Sequence, residues 1–414
     1  MEKMALEAST DVNRDGNILT ISSLSSGFVT GNFMRAIYHG YKSGYTDFVL
    51  DFSADIEGVY PNVCSPLAGL IEYYKVARNF SFTYKNVPDF LKHTRMLEPV
   101  GAVDDVTHEK KPLNVVWKFS SSEEVKSLTN AYINFVSQSA CCKEGVIEGL
   151  EWCLYEVMDN VLQHAATTHG YVMGQIHSAS QHIAICIYDY GQGIFNSLRN
   201  STYTPIDAID AITIALKEGV TRDKSMGQGN GMWGLNNIVR SNSGRFDITS
   251  GSGFVKILPD KTITSKSVPF LTKENNCTTI DFQINFNKEF SITNALGGYK
   301  PVNLRIENIE DENNNAVYKL AEKNSGTGTR QSGIAIRNEI INIGNQTPSI
   351  IILDFNGVSL ISSSFADELI GKLVIEYGFV GFTQRFRLIG MNETIQAITN
   401  RSVAQRLNAN SQVL

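Results

Sequence analysis

No run of eighteen apolar residues occurs in this 414-residue chain, so the sequence offers no segment able to cross a bilayer as a helix. Its six cysteines follow no metal-ligand spacing. Cys141 and Cys142 are adjacent and the others are scattered, which leaves reduced thiols as the simplest state. Charge is sparse and close to balanced: Lys and Arg total 36, Asp and Glu 42, for a net charge of -6. That balance gives no generic pull toward nucleic acid or an anionic membrane surface. No G-K-[ST] follows the main glycine-rich stretch, so a P-loop is excluded there. Met1–Gly16 is polar and acidic, unlike a signal peptide, and the location expected is cytoplasmic.

What is present is enough apolar material for real cores. Hydrophobic residues make up 42 % and charged residues only 19 %, a composition unlike that of a disordered chain. The length suggests about two to four domains.

Three short segments between residues 150 and 235 carry the chemistry. The first is Glu156-Val-Met-Asp-Asn160-Val-Leu-Gln-His164. Apolar residues recur at helical spacing from Val146 through Leu150, Cys153, Leu154, Val157, Met158, Val161 and Leu162 to Ala165, which predicts one buried stripe. Glu156, Asn160 and His164 are each four apart and stack on a more polar face. A carboxylate and a carboxamide at that spacing can orient a water and hold Mg²⁺, which takes oxygen ligands and keeps several waters. A solvated helix face is the plainer explanation of the same pattern.

The second segment, Asp189-Tyr-Gly191-Gln-Gly193, ends the apolar run His182–Tyr188, which reads as a buried strand. An aspartate at a strand end can accept a hydrogen bond from an amino group, and the two glycines permit a tight turn and close backbone approach. A simple strand-to-turn junction gives the same letters. The third segment, Gly227-Gln-Gly229-Asn-Gly231-Met-Trp-Gly234-Leu235, puts four glycines in eight residues directly before a helix start. Its backbone N–H groups and the helix N-terminus suit a polyphosphate, although a flexible loop is the alternative.

In this order and spacing, the three segments resemble the Bergerat-type ATP site of the GHKL superfamily, which includes gyrase, the ninety-kilodalton heat-shock chaperone, histidine kinases, MutL-type repair proteins and anti-sigma-factor kinases. Gly244–Gly253 and Thr278–Phe286 look like the strands that close such a domain. The resemblance implies ATP and Mg²⁺ as cofactors, and it implies a role for each matching position. Glu156 resembles the general base and Asn160 the Mg²⁺ ligand. Asp189 resembles the adenine-reading aspartate, with Gly191 and Gly193 beside the base. Gly227, Gly229, Gly231, Gly234 and Leu235 resemble the second glycine box at the phosphates. His164 takes a place from which a basic residue can approach phosphate, or else it caps or packs. Residues 194–226 would form the ATP lid, where Arg222 and Lys224 either meet phosphate or remain a solvated charge pair. Histidine kinases usually lack a carboxylate at the place of Glu156, so its retention implies ATP hydrolysis or phosphoryl transfer to Ser or Thr.

The flanks share a second pattern. Thr46-Asp-Phe-Val-Leu-Asp51-Phe52 is followed by a segment read as a loop, Val59–Leu67, and then by a helix from Ala68. Ser349-Ile-Ile-Ile-Leu-Asp354-Phe355 is followed by Val358–Phe365 and then by a helix through Ile375. Each reads as strand, Leu-Asp-Phe, loop, helix, which implies a small α/β domain at each end. The C-terminal copy resembles STAS-like domains of anti-sigma-factor antagonists, with Gly328–Gly333 and Ile334–Ile341 fitting the preceding helix. In that family an Asp-Ser pair opens the helix and the serine is phosphorylated. Ser362-Ser363 stands there without the aspartate, so Ser363 is a candidate phosphoacceptor, while a helix cap from Ser362–Ser364 serves as well.

The expected architecture is therefore α/β: a central GHKL α/β sandwich at 113–290, flanked by STAS-like domains at 1–112, divergent, and at 291–414. The function expected is an ATP-dependent regulatory switch. The alternatives are a Ser/Thr protein kinase acting on a STAS domain and a non-catalytic nucleotide-gated interaction module. Expected partners are ATP and either another protein or the chain's own STAS-like domains, with a homodimer as a further option and neither membrane nor nucleic acid indicated.

Overall fold

The computed structural model of the chain describes residues 11–102, 106, 108–199, 201–220, 229–266, 276–323 and 325–411. The chain is a mixed α/β protein with three sheets. Two compact units emerge, the first from residues 1–132 and 150–285, the second from 133–149 and 286–414.

The first unit opens with strands β1 (Val12–Asp15) and β2 (Ile18–Ser23), helix α1 (Phe28–Lys42), strand β3 (Asp47–Glu57), helix α2 (Pro61–Arg78) and strand β4 (Ser81–Lys85). They form a four-stranded sheet in the order β1-β2-β3-β4, with β2, β3 and β4 parallel. Residues 61–67, expected as loop, are already helical. Pro61 occupies the first turn, where proline costs no hydrogen bond, and Pro66 is buried inside the helix.

An eight-stranded sheet follows, in the order β11-β10-β9-β12-β8-β7-β6-β5. Its strands are β5 (Val100–Gly101), β6 (Trp117–Phe119), β7 (Gly170–His177), β8 (His182–Asp189), β9 (Arg245–Ser250), β10 (Gly253–Ile257), β11 (Thr262–Lys266) and β12 (Thr278–Asn285). All neighbours are antiparallel except β5 and β6. β8 is buried along nearly its whole length between β7 and β12, as its apolar run requires. The edge strand β11 is exposed along its length.

Besides a short helix at Asp89–His93, five helices complete the described part of this region. α3 (Ser122–Ser139) and α4 (Val146–His164) precede β7; α5 (Gly193–Leu198) and α6 (Ala208–Ala215) follow β8; α7 (Gly231–Ser241) precedes β9. α3 starts on a capping box. Ser121 Oγ accepts the Glu124 N–H at 3.2 Å, and the Glu124 carboxylate accepts the Ser121 N–H at 3.1 Å. The apolar stripe of α4 is buried as its spacing predicts, apart from a half-buried Leu162.

In the second unit, β13 (Ala316–Lys319), β14 (Ile351–Asp354) and β15 (Phe386–Ile389) form a parallel three-stranded sheet with β14 in the middle. Helices α8 (Arg330–Gln346), α9 (Lys372–Arg385) and α10 (Glu393–Ser411) accompany it, and a helical turn at Ser363–Ala366 passes through a π-helix at Asp367–Gly371 into α9. The two Leu-Asp-Phe segments occupy equivalent places. Each belongs to the middle strand of three parallel ones, with Leu50, Phe52, Leu353 and Phe355 all buried.

An asparagine ladder on α8 secures residues 137–142. Asn338 Nδ2 donates to Gln138 O, Asn342 Nδ2 to Ser137 O and Ala140 O, and Asn345 Nδ2 to Cys142 O, at 2.8–3.0 Å. Asn342 Oδ1 also accepts the Cys142 N–H at 2.7 Å. The carbonyls that end α3 would otherwise be buried without partners, and this ladder satisfies them.

Candidate functional site

Glu156 and Asn160 lie on α4, one turn apart, and the structure brings the start of α7 onto both. A Cβ placed on Gly231 would sit 2.6 Å from Glu156 Oε2 and 3.1 Å from Asn160 Nδ2, so any larger residue there would displace the Glu156 carboxylate. The Asn160 Nδ2 is buried with no hydrogen-bond partner among the described residues. A buried amide left open in this way is available to a ligand. Burial raises the Glu156 carboxyl above its usual range, and the charge of Asp159 adds to the effect. A carboxyl shifted in that direction is closer to the proton affinity useful to a general base.

The α7 N-terminus is formed by Asn230 and Gly231, and Gly229 takes a left-handed φ of +76°. Asn230 Oδ1 accepts the Gly219 N–H at 3.0 Å, which joins the segment before α7 to the end of the preceding loop. The start of α7, where a helix leaves its first N–H groups without intrahelical partners, therefore lies close to the Glu156–Asn160 pair. Gly234 packs against the Trp152 indole of α4, and Leu235 is fully buried on the core side of α7. Gly227, Arg222 and Lys224 lie outside the described residues.

Asp189 ends β8, with its side chain buried. Burial raises its carboxyl to about 7, and the Gly191 N–H, donated to Oδ1 at 2.8 Å, lowers it in part. The turn that follows is packed too tightly for side chains. A Cβ on Gly191 would stand 2.0 Å from Ala165 O, and one on Gly193, whose φ is +73°, would stand 2.3 Å from Asn276 O. His164 closes α4, and its backbone carbonyl accepts from Gln192 Nε2 at 2.6 Å. The Gln192 N–H also donates to Ala165 O at 2.7 Å. Helix end and glycine turn are thus joined by two hydrogen bonds.

Two hydroxyls beside Asp189 escaped the sequence reading. Ser250 Oγ accepts the Ile194 N–H at 2.8 Å and lies 3.1 Å from Thr278 Oγ1. Thr278 stands directly opposite Asp189 in the β8–β12 register. In the sequence both residues sit in strands that read only as sheet, and nothing local marks them as neighbours of an aspartate many positions earlier in the chain.

In the second unit Ser362 is the helix cap: its Oγ accepts the Phe365 N–H at 3.0 Å. Ser363 is exposed at the first helical position. The carboxylates beyond it do more than favour a helix dipole. Glu368 is buried and paired with Arg330, Arg337 and Lys372, while Asp367 takes a two-pronged pair from Arg406. Burial raises the Glu368 carboxyl, but the bonds from Lys372 and Arg337 outweigh it and hold the group below its usual range.

No helix among the described residues is long and apolar enough to cross a membrane. Among the same residues no group of three or more His, Cys, Asp or Glu is placed to hold a metal ion. Compared with known families, residues 332–396 match a STAS-like domain of unknown function (DUF4325). The second unit therefore contains a STAS-like domain, spanning most of α8 through β15 and into α10. A comparison of the chain with curated proteins found no match.

Proposed function

We propose that the chain is a GHKL-type, Mg-ATP-binding protein that hydrolyses ATP and works as a regulatory switch through its STAS-like domain and the similarly built N-terminal sheet. One observation carries this reading. Three segments far apart in sequence meet, with Gly231 against Glu156 and Asn160 and the Asp189 turn tied to the end of the same helix. A solvated helix face would not bury an amide or exclude a Cβ.

The residues present fit the nucleotide and the ion. Asn160 carries a carboxamide whose Nδ2 has no partner among the described residues, and its oxygen is the kind of ligand that Mg²⁺ takes beside phosphate oxygens and water. Bound Mg²⁺ supplies charge neutralisation at the phosphates. Glu156 orients a water and takes its proton. The α7 N-terminus and the backbone at Gly229 and Gly231 face the phosphate oxygens, and Asp189 accepts from the adenine amino group. Gly227 and the lid cations Arg222 and Lys224 remain part of the reading by resemblance.

A second reading, Ser/Thr kinase activity toward a STAS serine, is favoured by the exposure of Ser363. A nucleotide-gated module without catalysis is the third, and the retained carboxylate at 156 argues against it. Purified protein incubated with γ-labelled Mg-ATP separates them. Free phosphate without labelled protein is the expected result. Label on serine identifies a kinase, and neither product with ATP retained identifies the module. Failure to bind ATP at all overturns the proposal.

A further inference from the structure

The inference here rests on the nucleotide reading of Asp189 and concerns what holds that residue in place. Side chains alternate along a strand, so Asp189 and its neighbours Tyr188 and Tyr190 face opposite ways. Tyr188 and Tyr190 belong to the core cluster built around α1 and α2 of the N-terminal sheet. The fit on that side is close. A Cβ on Gly69 of α2 would lie 2.4 Å from the Tyr188 ring and 2.9 Å from the Tyr171 ring. Tyr73 of α2 meets Tyr190 with ring centroids 5.8 Å apart, and Tyr171 touches both Tyr188 and Tyr190 at 6.3 and 6.2 Å.

Polar contacts follow the same line. Ser65 Oγ donates to the carbonyl of Cys186, three residues before Asp189, at 3.2 Å. Asn62 Nδ2 donates to Asp281 Oδ2 at 3.2 Å, on the strand β12 that pairs with β8. Cys277 is buried in the same core cluster as Tyr188, and it follows Asn276, whose carbonyl closes on Gly193. Both arms of the turn that carries Asp189 and Gly193 are therefore backed by α2.

We infer that α2 of the N-terminal sheet is the positioning element of the adenine-reading end of the site, with Gly69 and Tyr73 as positioning residues that act on Asp189 through Tyr188 and Tyr190. Close-packed interiors transmit such shifts instead of absorbing them. The N-terminal sheet then sets nucleotide affinity and base preference without touching nucleotide.

The test compares ATP and GTP dissociation constants for the full chain and three variants. Asp189→Asn establishes whether the aspartate reads the base. Gly69→Ala pushes a methyl into Tyr188, and Tyr73→Ala removes the ring beneath Tyr190 without adding bulk. The expected result for both α2 variants is a loss of ATP affinity of about tenfold, the scale of one hydrogen bond to a charged group. The preference for ATP over GTP should shrink with it, an effect that general loosening would not produce. If Gly69→Ala fails to fold, Tyr73→Ala decides. Folded α2 variants with wild-type affinity and base preference, beside an Asp189→Asn variant that loses ATP binding, overturn this inference alone. An Asp189→Asn variant that binds ATP like the wild type overturns the nucleotide reading of Asp189 and this inference with it.

Discussion

Replacing Gly231 with alanine should separate folding from turnover. The added Cβ would lie 2.6 Å from Glu156 Oε2 and 3.1 Å from Asn160 Nδ2, and Gly231 has no left-handed φ to strain. Two effects on stability oppose each other. Alanine is favoured over glycine by up to about 1 kcal/mol inside a helix, less at a first position. Moving the end of the Glu156 side chain off its preferred rotamer costs about 0.5–1.5 kcal/mol. Net stability should stay within about 1 kcal/mol of wild type, since both terms are of that size. Turnover should not. Displacing a catalytic carboxylate by about an ångström costs about a hundredfold. Thermal unfolding and phosphate release from Mg-ATP, measured on the same preparation, give both numbers. Gly234→Ala is the contrasting variant: its Cβ would run into the Trp152 ring at 2.1 Å, which is rigid, so overpacking of about 1–3 kcal/mol should appear in stability first. A Gly231→Ala protein with wild-type turnover and wild-type stability would refute the assignment of Glu156.

Three further outcomes follow from the same geometry. Asp189 accepts more strongly from an amino group when ionised, and its carboxyl is raised to about 7, so ATP affinity should rise with pH up to about 7 and level off above it. Asp189→Asn should flatten the rise, and a flat wild-type profile would contradict the role. The sign for folding is opposite. A carboxyl raised on folding contributes stability at low pH that is lost as pH rises through about 7, so wild type should unfold more readily at pH 8 than at pH 5, with Asp281, also raised to about 7 by burial and Asp247, acting in the same direction. Asn342→Ala should destabilise the second unit by about 3 kcal/mol in denaturant titrations, because it strands the buried Ser137 and Ala140 carbonyls and the Cys142 N–H. Ser362→Ala should cost about 1 kcal/mol through the lost cap, while Ser363→Ala should change stability by under about 0.5 kcal/mol.

Much of this was legible in the sequence because the signals were local. The α4 stripe and the β8 run ending in Asp189 each follow from spacing, and the structure has both. What escaped was set by neighbours distant in the chain. α2 lies between the core of its own sheet and the strands β7 and β8, so apolar and small residues surround it and no amphipathic stripe marks its first turns. Its start at Pro61 therefore read as a loop. The asparagines 338, 342 and 345 carry no local mark of their role, which is to bond the backbone at 137–142, about two hundred residues earlier. Ser250 and Thr278 gain their interest only when antiparallel pairing brings them beside Asp189.

The two sheets with Leu-Asp-Phe in their middle strands show how one topology takes different duties from its surroundings. In each, a helix follows the middle strand, and its opening residues carry serine: Ser65 in the first, Ser362, Ser363 and Ser364 in the second. Ser65 is wholly buried and its hydroxyl donates to Cys186 O, so no enzyme or nucleotide reaches it while α2 stays on β8. Ser363 is exposed, and no hydroxyl bond of its own ties it to the fold among the described residues. Of the serines that open these two helices, Ser363 is the exposed one, while Ser65 is packed against the strand that ends in Asp189. The same burial that removes Ser65 from chemistry gives α2 its grip on the site. Labelled phosphate on Ser65 in folded protein would show that α2 leaves β8.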